Sequence, residues 1–147
     1  MGRWSRRLAG PFIDFANARN AGRTLDVGCG TGSLSGALAA AGAKAVHSVD
    51  LSLTYVRYAH ARHSDARLSF QVGDACALGV VDGAFDCVLS LLVLHFVPQP
   101  ARAIQEMRRV ARPGAIVSAA VWDARGGFVA NRLFFDTAAA LDANASQ

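Results

Sequence analysis

The chain has 147 residues, 52% of them hydrophobic, which is enough for about one domain with a real core and argues against disorder. Fifteen basic against eleven acidic residues leave a net charge of +4, but the cations form no tract and lack the interleaved aromatics that stack bases, so a nucleic-acid partner is not expected. Three cysteines without Cys-x-x-Cys spacing suggest neither a disulfide framework nor a zinc site, and the longest apolar stretch, Val88 to Val97, falls well short of the ~20 residues of a membrane span. A soluble, cytoplasmic protein with reduced thiols is expected, with no membrane partner and no metal site.

In chain order, residues 3 to 20 carry Trp4, Leu8, Phe12 and Phe15 at near-helical spacing, which predicts a helix broken near Gly10-Pro11. Residues 1–22 then form a helical cap segment on a domain of residues 23–147. A strand runs from Arg23 to Gly28, and a helix from Ser33 to Ala41 is stopped by Gly42. Ala45 to Asp50 is a second strand, Ser52 to His63 a helix with Ser52 as N-cap, and Arg67 to Val72 a third strand. Phe85 to Leu91 is a nearly unbroken apolar run, as a central strand buried on both faces requires. Pro98 or Pro100 opens a helix through Ala111 with Ile104, Met107 and Val110 as its inward stripe, ended by Arg112-Pro113-Gly114. Ala115 to Trp122 is a fifth strand, Gly126-Gly127 a hinge, and Phe128 to Leu141 a last helix with Phe134, Ala138 and Leu141 on one side. Strands alternating with helices mean an α/β fold with parallel pairing and right-handed crossovers.

Ligands of such a sheet bind outside the C-terminal ends of the strands. Polar residues collect there: Asp26 with its glycines, Asp50, Asp74, and Ser90 with His95. In Asp26-x-Gly28-Cys29-Gly30-x-Gly32 the bare backbone can lie against a ligand. Read as a dinucleotide fingerprint, the motif puts Ser33 where a third glycine should stand. A carboxylate two residues before the first glycine suits a ligand with an ammonium group and repels a pyrophosphate. Asp50, twenty residues after Gly30, is placed to accept from two vicinal ribose hydroxyls, a feature that would equally serve NAD, and it could also cap the helix that begins near Ser52. Leu51 would offer an apolar face to a base. Gly73-Asp74-Ala75 is, in isolation, a common turn.

Taken together, Asp26-x-Gly28-x-Gly30-x-Gly32, Asp50, Gly73-Asp74-Ala75 and the stretch Leu78-Gly79-Val80-Val81-Asp82-Gly83-Ala84-Phe85-Asp86 resemble the class I methyltransferases that use S-adenosylmethionine. Arg109 to Gly114 resembles the segment that leads into their fifth strand, and Met1-Gly2-Arg3-Trp4-Ser5-Arg6 a stretch that helps cover the cofactor. The resemblance implies a Rossmann-like doubly wound sheet of strand order 3-2-1-4-5. It also implies cofactor contacts from Asp26, Gly28, Cys29, Gly30, Gly32, Asp50, Leu51, Asp74, Ala75 and Ser90, with Asp74 accepting from the adenine amine. Without Asn-Pro-Pro-Tyr or Asp-Pro-Pro-Tyr after strand four, the implied branch is that of small-molecule acceptors. His95 is the candidate general base, if the acceptor must lose a proton; a loop histidine bonded to backbone is the alternative. His60 and His63 share a helical face but have no third ligand, so a surface role fits better than a metal site.

The family continues through two further strands, and on that pattern this chain lacks the sixth and seventh, roughly fifty to a hundred residues. The apolar fifth strand then has an unpaired edge, so self-association through it is expected, and a cofactor-binding domain that is catalytically incomplete stands as the alternative to an active methyltransferase.

Overall fold

A computed structural model describes residues 2–123, 127 and 129–142. Five parallel strands form one sheet in the order β3-β2-β1-β4-β5, with β1 at Arg23–Val27, β2 at Ala45–Asp50, β3 at Leu68–Val72, β4 at Phe85–Leu91 and β5 at Ala111–Ala120. Helices α1 (Gly2–Phe15), α2 (Ser33–Ala40), α3 (Leu53–Arg62), α4 (Pro100–Val110) and α5 (Val129–Leu141) complete the chain, with a 3₁₀ turn at Leu94–Phe96. None of the helices described is long and apolar enough to cross a membrane.

The centre of the sheet follows the hydrophobic pattern. In β4 every residue but Asp86 is buried, or nearly so, on both faces. On one side of the sheet Phe12 and Ile13 of α1 and Leu34 and Leu38 of α2 pack over Val46, Cys87 and Leu89. On the other, Ala103, Met107 and Val110 of α4 meet Leu25, Val27, Val49 and Val88. Ile104, expected inward, is 44% exposed, because the buried face of α4 runs through Ala103 instead. Arg109 fastens the loop before β4 to α4. Its guanidinium donates to the carbonyls of Leu78 at 2.8 Å and Val80 at 3.0 Å and pairs with Glu106, which accepts from the Leu78 amide at 2.8 Å.

Several expected boundaries change. α1 is one helix through Pro11 and stops at Phe15. Pro11 is exposed, so the Arg7 carbonyl that loses its intrahelical partner lies where water can take it. The buried face of α1 is Ala9, Phe12 and Ile13, continued by Ala16 just past its end, while Trp4 and Phe15 of the expected stripe stand in solvent. β5 begins at Ala111 and ends at Ala120: Phe85 pairs with Ala111 and Cys87 already with Ile116, so Arg112 to Ala115 bulge out of register. Proline 113 has no N–H to give the ladder, and Gly114 takes a left-handed φ of 78°. Residues 126 and 128 of the expected hinge and last helix lie outside the described residues. Phe134 and Leu141 of α5 are exposed rather than packed.

Candidate functional site

The loop after β1 is pinned to β2. The amides of Gly28 and Cys29 both donate to the Val49 carbonyl, at 2.7 and 3.0 Å. Asp50 then clamps the loop with its two oxygens, one accepting from the Gly30 amide at 2.8 Å and the other from the Ser52 amide at 2.9 Å. Each oxygen keeps a second lone pair for a ligand hydroxyl. Ser52 caps α3 as expected, its Oγ accepting from the Tyr55 amide at 3.4 Å.

Asp26 is 1% exposed and belongs to a buried polar chain. Ser48 donates to Ser35 at 3.0 Å, and Ser35 donates to one Asp26 oxygen at 2.6 Å. The other oxygen, Oδ1, has no partner in the protein. Burial is the main reason the Asp26 carboxyl is pushed up to about 7, opposed by the Ser35 hydrogen bond and assisted by the charge of Asp50. A cationic ligand group at Oδ1 would satisfy the orphan acceptor and restore the carboxylate. Burial, with the same two carboxylates, also raises the Cys29 thiol above its ordinary pKa, so this cysteine is no nucleophile.

Two adjoining cavities open at these strand tips. The first, about 310 Å³, is lined by Asp26, Gly28, Cys29, Gly30 and Asp50 together with Ser5, Tyr55, Leu92, Val93 and Phe96. The second, about 150 Å³, is lined by Asp50, Leu51, Asp74, Ala75, Val93, Phe96 and Pro98. Gly28 and Asp50 border both, as do Val93 and Phe96. Any side chain on Gly28, whose φ is 76°, would overlap that of Val93. Asp74 turns one oxygen back to the Cys76 amide at 2.8 Å.

Three expected site residues lie elsewhere. Gly32 is not on the wall of either cavity; a Cβ there would come within 2.8 Å of His63 Nε2. Ser90 is fully buried and donates to the Val27 carbonyl at 3.0 Å, so it joins β4 to β1 rather than facing a ligand. His95 sits in the 3₁₀ turn with its ring 4.0 Å from that of Phe96, on neither cavity wall. Partial desolvation holds its pKa below the ordinary histidine value. His63 is the C-cap of α3 and half-buried, not an outward surface residue. Conversely Leu92, Val93, Phe96 and Tyr55 were not singled out by sequence. Leu92 turns the chain at the end of β4 with a left-handed φ of 60°, and no residue type announces that.

Residues 25–119 match a family profile described as a methyltransferase domain. The chain is 39% identical over 112 residues to a demethylmenaquinone methyltransferase of Renibacterium salmoninarum, covering 76% of this chain and 44% of that protein. A solved S-adenosylmethionine-dependent methyltransferase of Mesorhizobium loti superposes with a TM-score of 0.69 at 27% identity, over 76% of this chain and 52% of that one. A chain of the complex that the Haloferax volcanii Trm112 methyltransferase activator forms with a methyltransferase gives 0.69 at 26% identity, over 80% and 55%. The chain thus spans about half the length of these relatives.

Proposed function

The chain belongs to the class I S-adenosylmethionine-dependent methyltransferases, and from that premise we propose that it binds the cofactor across the two cavities and passes its methyl group to a small-molecule acceptor. The observation that carries the reading is the unpartnered, buried oxygen of Asp26, a residue that lines the larger cavity, beside an Asp50 whose oxygens still have lone pairs to offer. Bound there, S-adenosylmethionine would supply a methyl group on a sulfonium centre, from which a neutral thioether departs as the leaving group.

The residues fit it end to end. Asp26 Oδ1 takes the ammonium of the methionine moiety, and the open backbone of Gly28, Cys29 and Gly30 leaves room for the chain beside it. Asp50 takes the ribose hydroxyls. Leu51, Val93 and Phe96 enclose the adenine, with Asp74 and Ala75 at its polar edge. The protein's own share of the catalysis is orientation and exclusion of water, since an in-line displacement needs little else. Where the acceptor has a proton to lose, His95, next to the cavity-lining Phe96 and with its pKa lowered by desolvation, is the candidate base. α1 acts as a cap, supported by Ser5 on the cavity wall.

A small-molecule acceptor is supported by the mostly apolar wall at Tyr55, Leu91, Leu92 and Phe96, and by the name of the Renibacterium salmoninarum relative. Three free thiols speak for a cytoplasmic setting. A second reading, a cofactor-binding domain whose acceptor side is completed by another chain, is favoured by the exposed edge of β5 and by the activator bound to the Haloferax volcanii relative. Calorimetric binding of S-adenosylhomocysteine together with turnover on a panel of phenols, amines and carboxylates tests both. Binding with turnover supports the first reading, binding without turnover the second, and no binding defeats both.

A further inference from the structure

A separate cavity of about 520 Å³ lies between α1, the first turns of α2 and the end of α3. Arg6, Arg62, His63 and Tyr58 line it, and Thr31 and Ser33 separate it from the cofactor cavity, whose wall they share. Among the described residues no carboxylate lines it, whereas Arg19, Arg67, Arg109 and Arg112 each face an Asp or Glu. The exposed Arg6 and Arg62 line the same cavity as the half-buried His63, and with no carboxylate among its described lining residues the cavity is open to an anion.

The imidazole is fixed in place. Gly32, the N-cap of α2, and Gly36, one turn further along, form the slot that holds it: a Cβ on Gly32 would stand 2.8 Å from Nε2, and one on Gly36 2.8 Å from Cε1. Phe70 stacks on the ring at 5.7 Å between centroids and 29° between planes. A side chain seated this way is oriented before any ligand arrives, so little ordering cost remains to be met on binding. The third glycine of the loop after β1 thereby serves His63, not the cofactor.

We infer that this cavity binds an oxyanion group, a carboxylate or phosphate, carried by the methyl acceptor. Arg6 and Arg62 supply charge-assisted hydrogen bonds, the phenol of Tyr58 and the His63 ring add donors, and the shared Thr31-to-Ser33 wall sets the anion beside the cofactor. The anion site stands on its own geometry; only its assignment to the acceptor rests on the methyltransferase reading.

The test is a titration of inorganic phosphate, and separately of sodium acetate, into the protein with and without S-adenosylhomocysteine, followed by nitrogen-15 NMR of the arginine Nε–H and histidine ring groups. Saturable shifts at Arg6, Arg62 and His63 are expected, weakened about tenfold in Arg62→Gln and in Gly36→Ala, with S-adenosylhomocysteine affinity unchanged in both. In turnover, Arg62→Gln should raise KM about tenfold for acidic acceptors while holding kcat, and leave their neutral esters unaffected. Absence of saturable shifts overturns the site. Loss of S-adenosylhomocysteine affinity in Arg62→Gln overturns it too, by assigning the arginine to the cofactor's own carboxylate. Saturable phosphate binding with acidic and neutral acceptors turned over alike overturns the acceptor assignment in favour of a free anion. Failure of the unsubstituted protein to bind S-adenosylhomocysteine defeats the methyltransferase reading instead, and the phosphate titration without it still reads the cavity.

Discussion

At the tips of β1 and β2 the polar groups are tied to one another: Asp50 holds the amides of Gly30 and Ser52, and Asp26 ends a chain from Ser48 through Ser35. Along β5 and α5 the opposite holds. Val117, Val121, Leu133, Phe134 and Phe135 stand exposed, and among the described residues β5 pairs with β4 alone. The contrast separates what this chain prepares by itself from what it leaves open. The cofactor half is preorganised by contacts within the chain, so substitutions there should act on binding; the β5 flank presents an apolar edge of the kind that proteins cover, so substitutions there should act on association.

The sharpest break of the cofactor half is Gly28→Ala. A left-handed φ and overlap with Val93 together should destabilise the fold by ~2–3 kcal/mol, read by urea unfolding, and abolish S-adenosylhomocysteine binding. Retained binding would show that the ligand does not lie against this loop.

Asp26 gives the next largest effect. Its folded pKa of about 7 lies above the ordinary carboxylate value, so the folded protein holds the proton more tightly than the unfolded chain does. This contribution is complete below about pH 4 and declines as pH rises to about 7, a loss on the order of a few kcal/mol in the ligand-free protein. Asp26→Asn should flatten that part of the stability profile, measured by thermal unfolding across pH. Since the ammonium prefers the ionised carboxylate, S-adenosylhomocysteine affinity should also fall as pH drops below 7. The Asn variant should lose that dependence.

Asp50→Ala should weaken S-adenosylhomocysteine by roughly 1.5–3 kcal/mol in calorimetry, through loss of the ribose contact and of the clamp on Gly30. Unaltered affinity would place the ribose elsewhere. His95→Gln should leave that affinity unchanged and lower only kcat, and only for acceptors that must lose a proton.

On the β5 flank, Val117→Lys with Phe134→Glu should reduce self-association in sedimentation velocity while changing stability by no more than about 0.5 kcal/mol, both sites being exposed. A native protein already monomeric at tens of micromolar, with β5 amides protected from exchange, would remove the difference between the two regions.

The same division governs what could be read from the sequence. Phe85–Leu91 is legible to the residue because a parallel strand buried on both faces writes itself as an apolar run, and Ala45–Asp50 is equally so although His47 and Ser48 interrupt its apolar residues. Asp50 closes β2, whereas Asp26 lies inside β1 and Asp74 follows the half-exposed β3, so those two are marked in the sequence by the glycines beside them and not by an apolar run. Gly32 and Ser90 mislead because their partners, His63 and the Val27 carbonyl, come from distant parts of the chain that no local pattern reveals. The N-terminal stripe fails for a related reason: α2 covers one side of α1 only, and the sequence offers Trp4 and Phe15 as readily as Ala9 and Ile13. Val93 and Phe96 reach the site through the left-handed turn at Leu92, a choice of backbone that a leucine does not signal.

Carboxylates at successive strand tips are expected to hold an adenosyl sulfonium ligand rather than a dinucleotide. Parallel calorimetric titrations of the same protein with S-adenosylhomocysteine and with NADH decide it most directly. Saturable heat from the first and none from the second is the expected result; saturable binding of NADH with no response to S-adenosylhomocysteine would contradict it.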